Sequence, residues 1–301
     1  MKILLASTSR LALPTLELLA QSDEQIIGVL TKPDRPSGRG LESRTQELIA
    51  DIEGSYQIFR VSNHDELAEA LRRTKPDLVI AISFGMMIKP ESLSIPKHGW
   101  INLHFSLLPK FRGAAPVQRA ILAGEKSSGV TVFALDEGMD TGPIYTTREV
   151  SIAGMNAGSA LDVMAKIGSA AVLEAVELIS RDLEPSAQIG EPTLAPKISN
   201  SELQISFTRK VEEIDRQIRA FAPKPGAWTT FRGNRVKFLA AEIHRTVTGA
   251  AGEVLSSSPL VVAGPDGSLM VHLLQESGKR VMTSEEWVRG ARIQVGEKFE
   301  Y

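Results

Sequence analysis

Asn102, His104 and Asp140 carry the side chains of this 301-residue sequence that best fit acyl-transfer chemistry. Asn102 and His104 are two positions apart in a short apolar stretch, and if that stretch is a β-strand both side chains leave the same face of its sheet. Asp140 lies between Gly138 and Gly142, in a turn that can expose its carboxylate. An amide donor, an imidazole and a carboxylate are the groups needed to transfer an acyl group to an amine without a covalent intermediate.

Other kinds of catalytic site receive less support from the sequence. It has no cysteine, which excludes disulfides, thiolate nucleophiles and cysteine-ligated metals. No second histidine stands at ligand spacing from His104, so we expect no metal site. Ser106 is not in the G-x-S-x-G turn of hydrolase nucleophiles. Taken singly, however, His104 can be a structural histidine and Asp140 a turn residue, so these residues alone leave the function open.

Alternating strands and helices are predicted for residues 1–180. Continuous apolar runs of this kind are typical of strands buried on both faces, and they favour a Rossmann-like α/β domain with an open, mostly parallel sheet. Strands are predicted at residues 2–6, 26–30, 78–82, 101–105, 130–134 and 144–150. Such sheets bind their ligands at the carboxyl ends of strands, which is where His104 would lie.

The pattern changes after residue 180. Residues 181–205 are rich in proline and glycine at their start and are predicted to be a linker. Residues 206–301 combine one helix with five short strands, which favours an OB-like β-barrel domain. Gly233-Asn234 and Asp266-Gly267 are predicted as its hairpin turns.

Two basic segments could bind a polyanion. Residues 31–40 hold three cations, two prolines and two glycines without an apolar side chain, so this loop either grips phosphates or is a solvated surface loop. A second basic run forms a phosphate track if its members share a face, and its nearby aromatic residues Phe221 and Trp228 are expected in the core. The members of this run are Arg209, Lys210, Arg216, Arg219, Lys224, Arg232, Arg235 and Lys237.

Four blocks of the sequence resemble the methionyl-tRNA formyltransferase family, and the likeness runs almost from end to end. They are N-L-H-x-S-L-L-P-x-x-R-G-A-A-P-V-Q from Asn102, D-x-G-x-D-T-G from Asp136, P-D-R-P-x-G-R-G from Pro33 and A-F-x-P-x-P-x-x-W from Ala220. The resemblance implies that the formyl group of 10-formyltetrahydrofolate passes to the α-amino group of methionine on initiator Met-tRNA, without a metal. It also implies a formyltransferase fold followed by a tRNA-binding OB-like domain.

The resemblance further implies roles for individual residues. Asn102, His104 and Asp140 would be the catalytic set: Asn102 hydrogen-bonds the formyl oxygen, His104 moves the proton, and Asp140 holds His104. The folate-binding segment would be Ser106, Leu107, Leu108 and Pro109, with residues 81–88 as a wall of the pterin slot. The tRNA contacts would be Lys32, Arg35, Arg39 and Arg44.

Two alternatives remain beside this expectation. One is a formyltransferase that acts on an amino-sugar nucleotide, and the other is a non-catalytic RNA-binding relative. The basic loop and the barrel count against the first, and the intact catalytic set counts against the second. The sequence also departs from the family at Ser7-Thr8-Ser9, where Gly-Thr-Pro is usual, and at Leu41-Glu42-Ser43, where lysines are usual.

The expected setting is the cytoplasm. The apolar run at the N-terminus is too short for a signal sequence, and no run approaches the length of a transmembrane helix. We therefore expect a cytoplasmic monomer without membrane contact.

Overall fold

Two separate β-sheets organise the computed structural model of the protein, which describes residues 1–37, 42–44, 47–244 and 249–300, with the backbone alone for 35–37 and 42–44. The chain divides into two compact units. Unit 1 comprises Met1–Pro116, Ser127–Ser151 and Leu161–Pro196, and unit 2 comprises Val117–Lys126, Ile152–Ala160 and Lys197–Tyr301. Within the described residues, no helix has the length and apolar character needed to span a membrane.

Unit 1 is built on a seven-stranded sheet flanked by helices. The strands of unit 1 are β1 (Lys2–Ser7), β2 (Gln25–Thr31), β3 (Arg35–Ser37), β4 (Glu42–Arg44), β5 (Ile58–Arg60), β6 (Leu78–Ile82), β7 (Trp100–His104), β8 (Ser127–Ala134) and β9 (Ile144–Ser151). Strands β3 and β4 form a separate two-stranded ribbon, and the other seven form the large sheet. The helices in this part of the chain are α1 (Leu13–Leu19), α2 (Glu47–Ile52), α3 (His64–Thr74), α4 (Pro90–Leu93), α5 (Pro116–Ala123) and α6 (Ala157–Ser180), with a 3-10 turn at Arg10–Ala12.

The order of the large sheet is β5-β2-β1-β6-β7-β8-β9. The first five strands in this order, β5, β2, β1, β6 and β7, are parallel to one another, whereas β8 pairs antiparallel with β7 and with β9. This confirms the mostly parallel, Rossmann-like sheet. Every residue of β6 is buried, as expected for a strand covered on both faces.

Unit 2 is built on an antiparallel sheet that closes on itself. Its elements are β10 (Ala227–Phe231), β11 (Asn234–His244), β12 (Val254–Ser257), β13 (Leu260–Gly264), β14 (Gly267–Glu276), β15 (Met282–Thr283), α7 (Val211–Phe221), α8 (Ser284–Ala291) and a 3-10 turn at Asn200–Leu203. The order is β10-β11-β14-β13-β12, with β15 beside β14. The C-terminal segment then bridges the two ends of the sheet, because Glu300 pairs with Thr230 and Lys298 pairs with Glu253. The result is the expected OB-like barrel.

Both predicted hairpin turns lie one residue later than the observed ones. Phe231 pairs with Asn234, and Gly264 pairs with Gly267, so Asn234 and Gly267 are strand residues. In the first turn the central residues Arg232 and Gly233 both have positive φ angles, of 49° and 76°. That combination is what a two-residue turn matching the twist of the strands requires.

The segment predicted as a linker makes ordered contacts. Residues 181–196 group with unit 1, where Ser186 pairs with Ile144 and Leu194 pairs with Arg112. Residues 117–126 and 152–160, which the predicted boundaries place in the first domain, group with unit 2.

Candidate active site

Strand β7 positions Asn102 and His104 as the two-residue period predicts. Asn102 pairs with Phe133 of β8, and His104, the last residue of β7, pairs with Thr131. Both side chains therefore leave the same face of the sheet. His104 is only 5% exposed, so its imidazole is largely removed from solvent.

The two ring nitrogens of His104 have different surroundings. Nε2 lies 2.9 Å from the carbonyl oxygen of Phe111. Because a carbonyl oxygen can only accept, Nε2 carries a proton and donates it. Nδ1 lies 3.6 Å from Oδ2 of Asp140, and in the neutral ring it is the nitrogen that is free to take up a proton.

The surroundings of His104 lower the pKa of its imidazole below the ordinary value. Burial is the largest cause, and the Asp140 carboxylate and the hydrogen bond to Phe111 oppose it by raising the pKa. The ring of Phe133 contributes to this apolar environment, with its centroid 6.4 Å from that of the imidazole in an edge-on contact. Burial therefore favours the neutral imidazole, the form that can act as a base.

Asp140 reaches His104 through a loop that folds back on itself. The loop between β8 and β9 starts beside Trp100, because Leu135 donates its N–H to the Trp100 carbonyl, at the opposite end of β7 from His104. Asp140 nevertheless meets His104, and its Oδ2 accepts a 2.8 Å hydrogen bond from the N–H of Gly113. The backbone of Asp140 is left-handed, with φ 54°, an unfavourable conformation that its surroundings must hold in place.

The Asn102 amide has no hydrogen-bond partner among the residues that the structure describes. The side chain is partly buried on the face shared with His104. An amide in such a place normally has partners, so its N–H donors are available to an oxygen of a ligand.

Several residues that hold the site were not found from the sequence. Gln188 donates from Nε2 to the carbonyl oxygens of Asp140 and Gly142, at 2.9 and 2.8 Å. Arg112 in turn donates to Oε1 of Gln188. Arg112 lies in a block that resembles the formyltransferase family, but Gln188 lies in the predicted linker, where no sequence signal marked it.

The segment that follows His104 is fixed to strand β8. Thr131 donates from its hydroxyl to the carbonyl oxygen of Ser106 at 2.7 Å and accepts from the N–H of Leu108 at 3.1 Å. The hydroxyl of Ser106 itself donates a hydrogen bond to the carbonyl oxygen of Lys110. Among the predicted folate-binding residues Ser106, Leu107, Leu108 and Pro109, Leu107 is the one with a partly exposed side chain.

Comparison with known proteins shows which family the chain that carries this site belongs to. A sequence profile of the formyl transferase family matches residues 1–176, and one of the formyl transferase C-terminal domain matches residues 197–292. The methionyl-tRNA formyltransferase of Salinispora tropica is 39% identical and aligned over 99% of both chains. The methionyl-tRNA formyltransferase of Acidothermus cellulolyticus is 37% identical over the whole of both chains.

This chain belongs to the methionyl-tRNA formyltransferase family. The likeness extends to solved structures at lower identity. HypX from Aquifex aeolicus, solved in complex with tetrahydrofolic acid, is 21% identical and superimposes with a TM-score of 0.72. The match covers 99% of this chain and 48% of the HypX chain, so the protein spans about half of that relative and shares its fold there.

The turn after β6, the predicted wall of the pterin slot in this formyltransferase, is held by two side chains. Thr8, within the Ser7-Thr8-Ser9 departure from the family, donates to the carbonyl oxygen of Ser83 at 2.9 Å. The ammonium of Lys32 donates to the carbonyl oxygen of Gly85. Lys32, predicted as a tRNA contact, thus binds the turn after β6.

Two other predicted tRNA contacts of the formyltransferase, Arg35 and Arg44, belong to the ribbon of β3 and β4. The backbones of Arg35 and Arg44 are paired directly opposite each other. Arg39 lies outside the described residues. Among the described residues, no three histidine, aspartate or glutamate side chains converge in a way that could hold a metal ion.

The second basic run of this formyltransferase is partly neutralised within unit 2. Ion pairs join Arg209 to Glu213, Arg219 to Asp215, and Arg232 to Glu297, with N–O distances of 2.9, 2.8 and 2.6 Å. Three members of the predicted phosphate track therefore already have acidic partners.

The expectation for Trp228 is wrong, although Phe221 is buried as predicted. Trp228 pairs with Lys237, and alternate residues of β10 are buried, so Trp228 lies on the outer, partly exposed face of the barrel. The guanidinium of Arg235 stacks over the ring of Trp228, with Cζ of Arg235 3.8 Å from the ring centroid. The period of two predicted the strand but not which of its faces is inside.

Proposed function

We propose that this protein transfers the formyl group of 10-formyltetrahydrofolate to the α-amino group of methionine esterified to initiator tRNA. The observation that carries the proposal is the meeting of an unpartnered Asn102 amide, a buried His104 and Asp140 at the end of β7. They occur in a chain 39% identical over nearly its full length to a methionyl-tRNA formyltransferase. We also propose a cytoplasmic setting, which an acceptor such as charged tRNA supports.

Asn102 acts on the formyl oxygen. When the amine nitrogen attacks the formyl carbon, the oxygen gains negative charge, and the amide N–H of Asn102 donates to it. A donor already fixed in a partly buried site needs no reorganisation as the charge develops. Removing one such donor typically lowers the turnover rate by about 10²–10³-fold.

His104 carries the proton. Its Nε2 is committed to the carbonyl of Phe111, so Nδ1 accepts the proton that the attacking amine loses. The same proton then passes to N10 of the folate as the bond between N10 and the formyl carbon breaks. Asp140 stabilises the imidazolium that exists between these two steps, since its carboxylate lies beside Nδ1.

The two substrates approach from different parts of unit 1. We place the folate along Ser106, Leu107, Leu108 and Pro109, with the turn after β6 as the opposite wall. We place the acceptor end of the tRNA on the basic segment that includes Arg35, Arg39 and Arg44. The Thr131 hydroxyl forms hydrogen bonds with two backbone groups of the segment that follows His104. A segment fixed in this way fits a rigid slot for the folate.

A direct assay tests the proposed function. The purified protein is incubated with 10-formyltetrahydrofolate and charged initiator tRNA, and in parallel with glycinamide ribonucleotide or an amino-sugar nucleotide. We expect formylation of the methionyl-tRNA alone. Formylation of the sugar nucleotide, or of no acceptor, would overturn the proposal.

Substitutions in the site sharpen this assay. His104→Ala and Asp140→Asn are expected to lower kcat by about 10²–10⁴-fold, the usual contribution of a positioned acid or base. His272→Ala is the matched control, since His272 is an exposed histidine on β14 whose contact is Glu242. Equal activity of the His104 and His272 variants would remove His104 from the mechanism.

A further inference from the structure

Gln188 connects the backbone on both sides of Thr141 in the loop that carries Asp140. Its amide Nε2 donates to the carbonyl oxygens of Asp140 and Gly142, at 2.9 and 2.8 Å. One side chain from a segment 48 residues further along the chain therefore holds two backbone carbonyl groups of this loop. Gln188 is partly buried, whereas its neighbours Ala187 and Ile189 are exposed.

Arg112 fixes the other end of Gln188. Its Nε and one terminal nitrogen donate to Oε1 of Gln188, at 3.2 and 2.6 Å. The amide of Gln188 is thus oriented, because its oxygen must face the guanidinium and its NH₂ must face the two carbonyls. Because two nitrogens of the planar guanidinium donate to the same oxygen, Arg112 fixes the orientation of the Gln188 side chain as well as its distance.

Arg112 lies in the chain between two residues that form hydrogen bonds with His104 and Asp140. The residue before it, Phe111, accepts from Nε2 of His104, and the residue after it, Gly113, donates to Oδ2 of Asp140. The same short segment therefore holds His104 directly, and it holds Asp140 both directly and through Gln188.

Asp140 needs this support because its own conformation is unfavourable. It has a left-handed backbone, with φ 54°, a conformation that residues other than glycine rarely adopt and that persists only where the surroundings enforce it. The neighbouring loop residues also leave little freedom, since a Cβ on Gly142 would lie 1.8 Å from the carbonyl oxygen of Ala134. One hydrogen bond of Gln188 is to Gly142 itself, and the other is to Asp140, two residues before it.

We propose that Gln188, held by Arg112, is a positioning residue that sets the distance between the Asp140 carboxylate and Nδ1 of His104. The proposal rests on the proposed function for its kinetic test. The proposed mechanism gives neither side chain a contact with the reacting atoms, because their hydrogen bonds go to each other and to loop carbonyls. Their effect comes from the placement of Asp140, and a displacement of about 1 Å in such a site can cost on the order of 10²-fold in rate.

Two variants of Gln188 and a matched control separate this role from a general effect on folding. Gln188→Ala removes all four hydrogen bonds. Gln188→Glu keeps an acceptor for Arg112 but has no NH₂ to donate to the loop carbonyls. Ile189→Ala is the control, because Ile189 is the next residue in the same segment and is 89% exposed.

The first measurement is steady-state kinetics of the full-length protein. We expect kcat to fall by about 10²-fold in both Gln188 variants while each KM changes by less than about two-fold, since the hydrogen bonds of Gln188 go to Arg112 and to the loop of Asp140 and not to the residues proposed to bind the substrates. Ile189→Ala keeps the wild-type kcat. Should Gln188→Ala fail to fold, Gln188→Glu decides the same question, and a wild-type kcat in Gln188→Glu would overturn the proposal.

The second measurement needs no substrate. With ¹⁵N-labelled histidine, the Nδ1 signal of His104, assigned through His104→Gln, is expected to move in both Gln188 variants and to stay in place in Ile189→Ala. An unmoved signal would overturn the proposal whatever the enzyme acts on. If the wild-type protein formylates no methionyl-tRNA but the signal moves, the proposed function fails and the positioning role of Gln188 stands.

Discussion

His104 is subject to opposing influences that decide its protonation state. Burial lowers the pKa of its imidazole, while the Asp140 carboxylate and the Phe111 carbonyl raise it, and burial has the larger effect. The result is a neutral ring at neutral pH with a carboxylate beside its unprotonated nitrogen. Such a ring accepts a proton when a substrate amine offers one, and the carboxylate then stabilises the charge.

The activity should therefore persist below the ordinary pKa of histidine. Protonation of His104 inactivates it as a base, so kcat with saturating substrates falls as the pH falls through its lowered pKa, and the acidic limb of kcat lies below the ordinary pKa of histidine. Asp140→Asn removes an influence that raises the pKa, so the limb of its residual activity moves further to acid. A pH profile of kcat measures both, and a limb that moves to higher pH in Asp140→Asn would contradict this assignment.

At the scale of elements, the ends of three parallel strands meet around the predicted folate slot. Thr8 follows β1, Lys32 follows β2, and both donate to the turn after β6, at the carbonyls of Ser83 and Gly85. This turn has two residues with positive φ angles, Ser83 at 50° and Gly85 at 68°. External hydrogen bonds stabilise such a backbone, so the two side chains help to shape the slot wall.

Lys32 is expected to influence the folate more than the tRNA. In Lys32→Met the Gly85 carbonyl loses its donor, and we expect the KM for 10-formyltetrahydrofolate to rise severalfold, by up to about ten-fold, because one charged hydrogen bond is removed. The KM for methionyl-tRNA should change less. Lys97→Met, at an exposed lysine, is the control. A rise confined to the KM for methionyl-tRNA would instead support the RNA contact that the family resemblance implies.

At the scale of the whole molecule, the protein has a net charge of −2 although its acceptor substrate is a polyanion. It therefore needs a local basic surface to bind the RNA. The ion pairs of Arg209, Arg219 and Arg232 reduce the basic run of unit 2. Arg235 and Lys237 remain on the outer face of β11, next to the ring of Trp228. An aromatic ring beside two cations is a common arrangement for binding nucleic acid, and we propose that this face meets the tRNA.

The salt dependence of tRNA use tests this face. In a double variant with Arg235→Ala and Lys237→Ala, we expect the slope of log KM for tRNA against log salt to decrease by about 1 for each phosphate that the variant no longer binds. The KM for 10-formyltetrahydrofolate should not change. Lys279→Ala, at an exposed lysine paired with Glu276, is the matched control. An unchanged slope in the double variant would exclude this face from the RNA site.

The sequence by itself determined the two folds and most of the longer elements, but not β5 or the ribbon of β3 and β4. Buried parallel strands produce continuous apolar runs and barrel strands produce alternation, because these periods follow from the local geometry of the chain. The same local rule placed Asn102 and His104 on one face of β7, and the family blocks pointed to Asp140. The structure brings Asp140 to His104, and the roles assigned to these residues remain predictions.

The tertiary structure alone decided how the site is held. The period of two could not say that Trp228 lies outside the barrel, because the pattern specifies alternation and packing selects the inner face. Nor could it show that the loop of Asp140 folds back along β7, or that Gln188, in a segment predicted as a linker, reaches that loop. Interactions between segments distant in the chain depend on the packing of the folded protein. Local sequence patterns carry no signal for them, and in this protein those interactions place the Asp140 carboxylate beside His104.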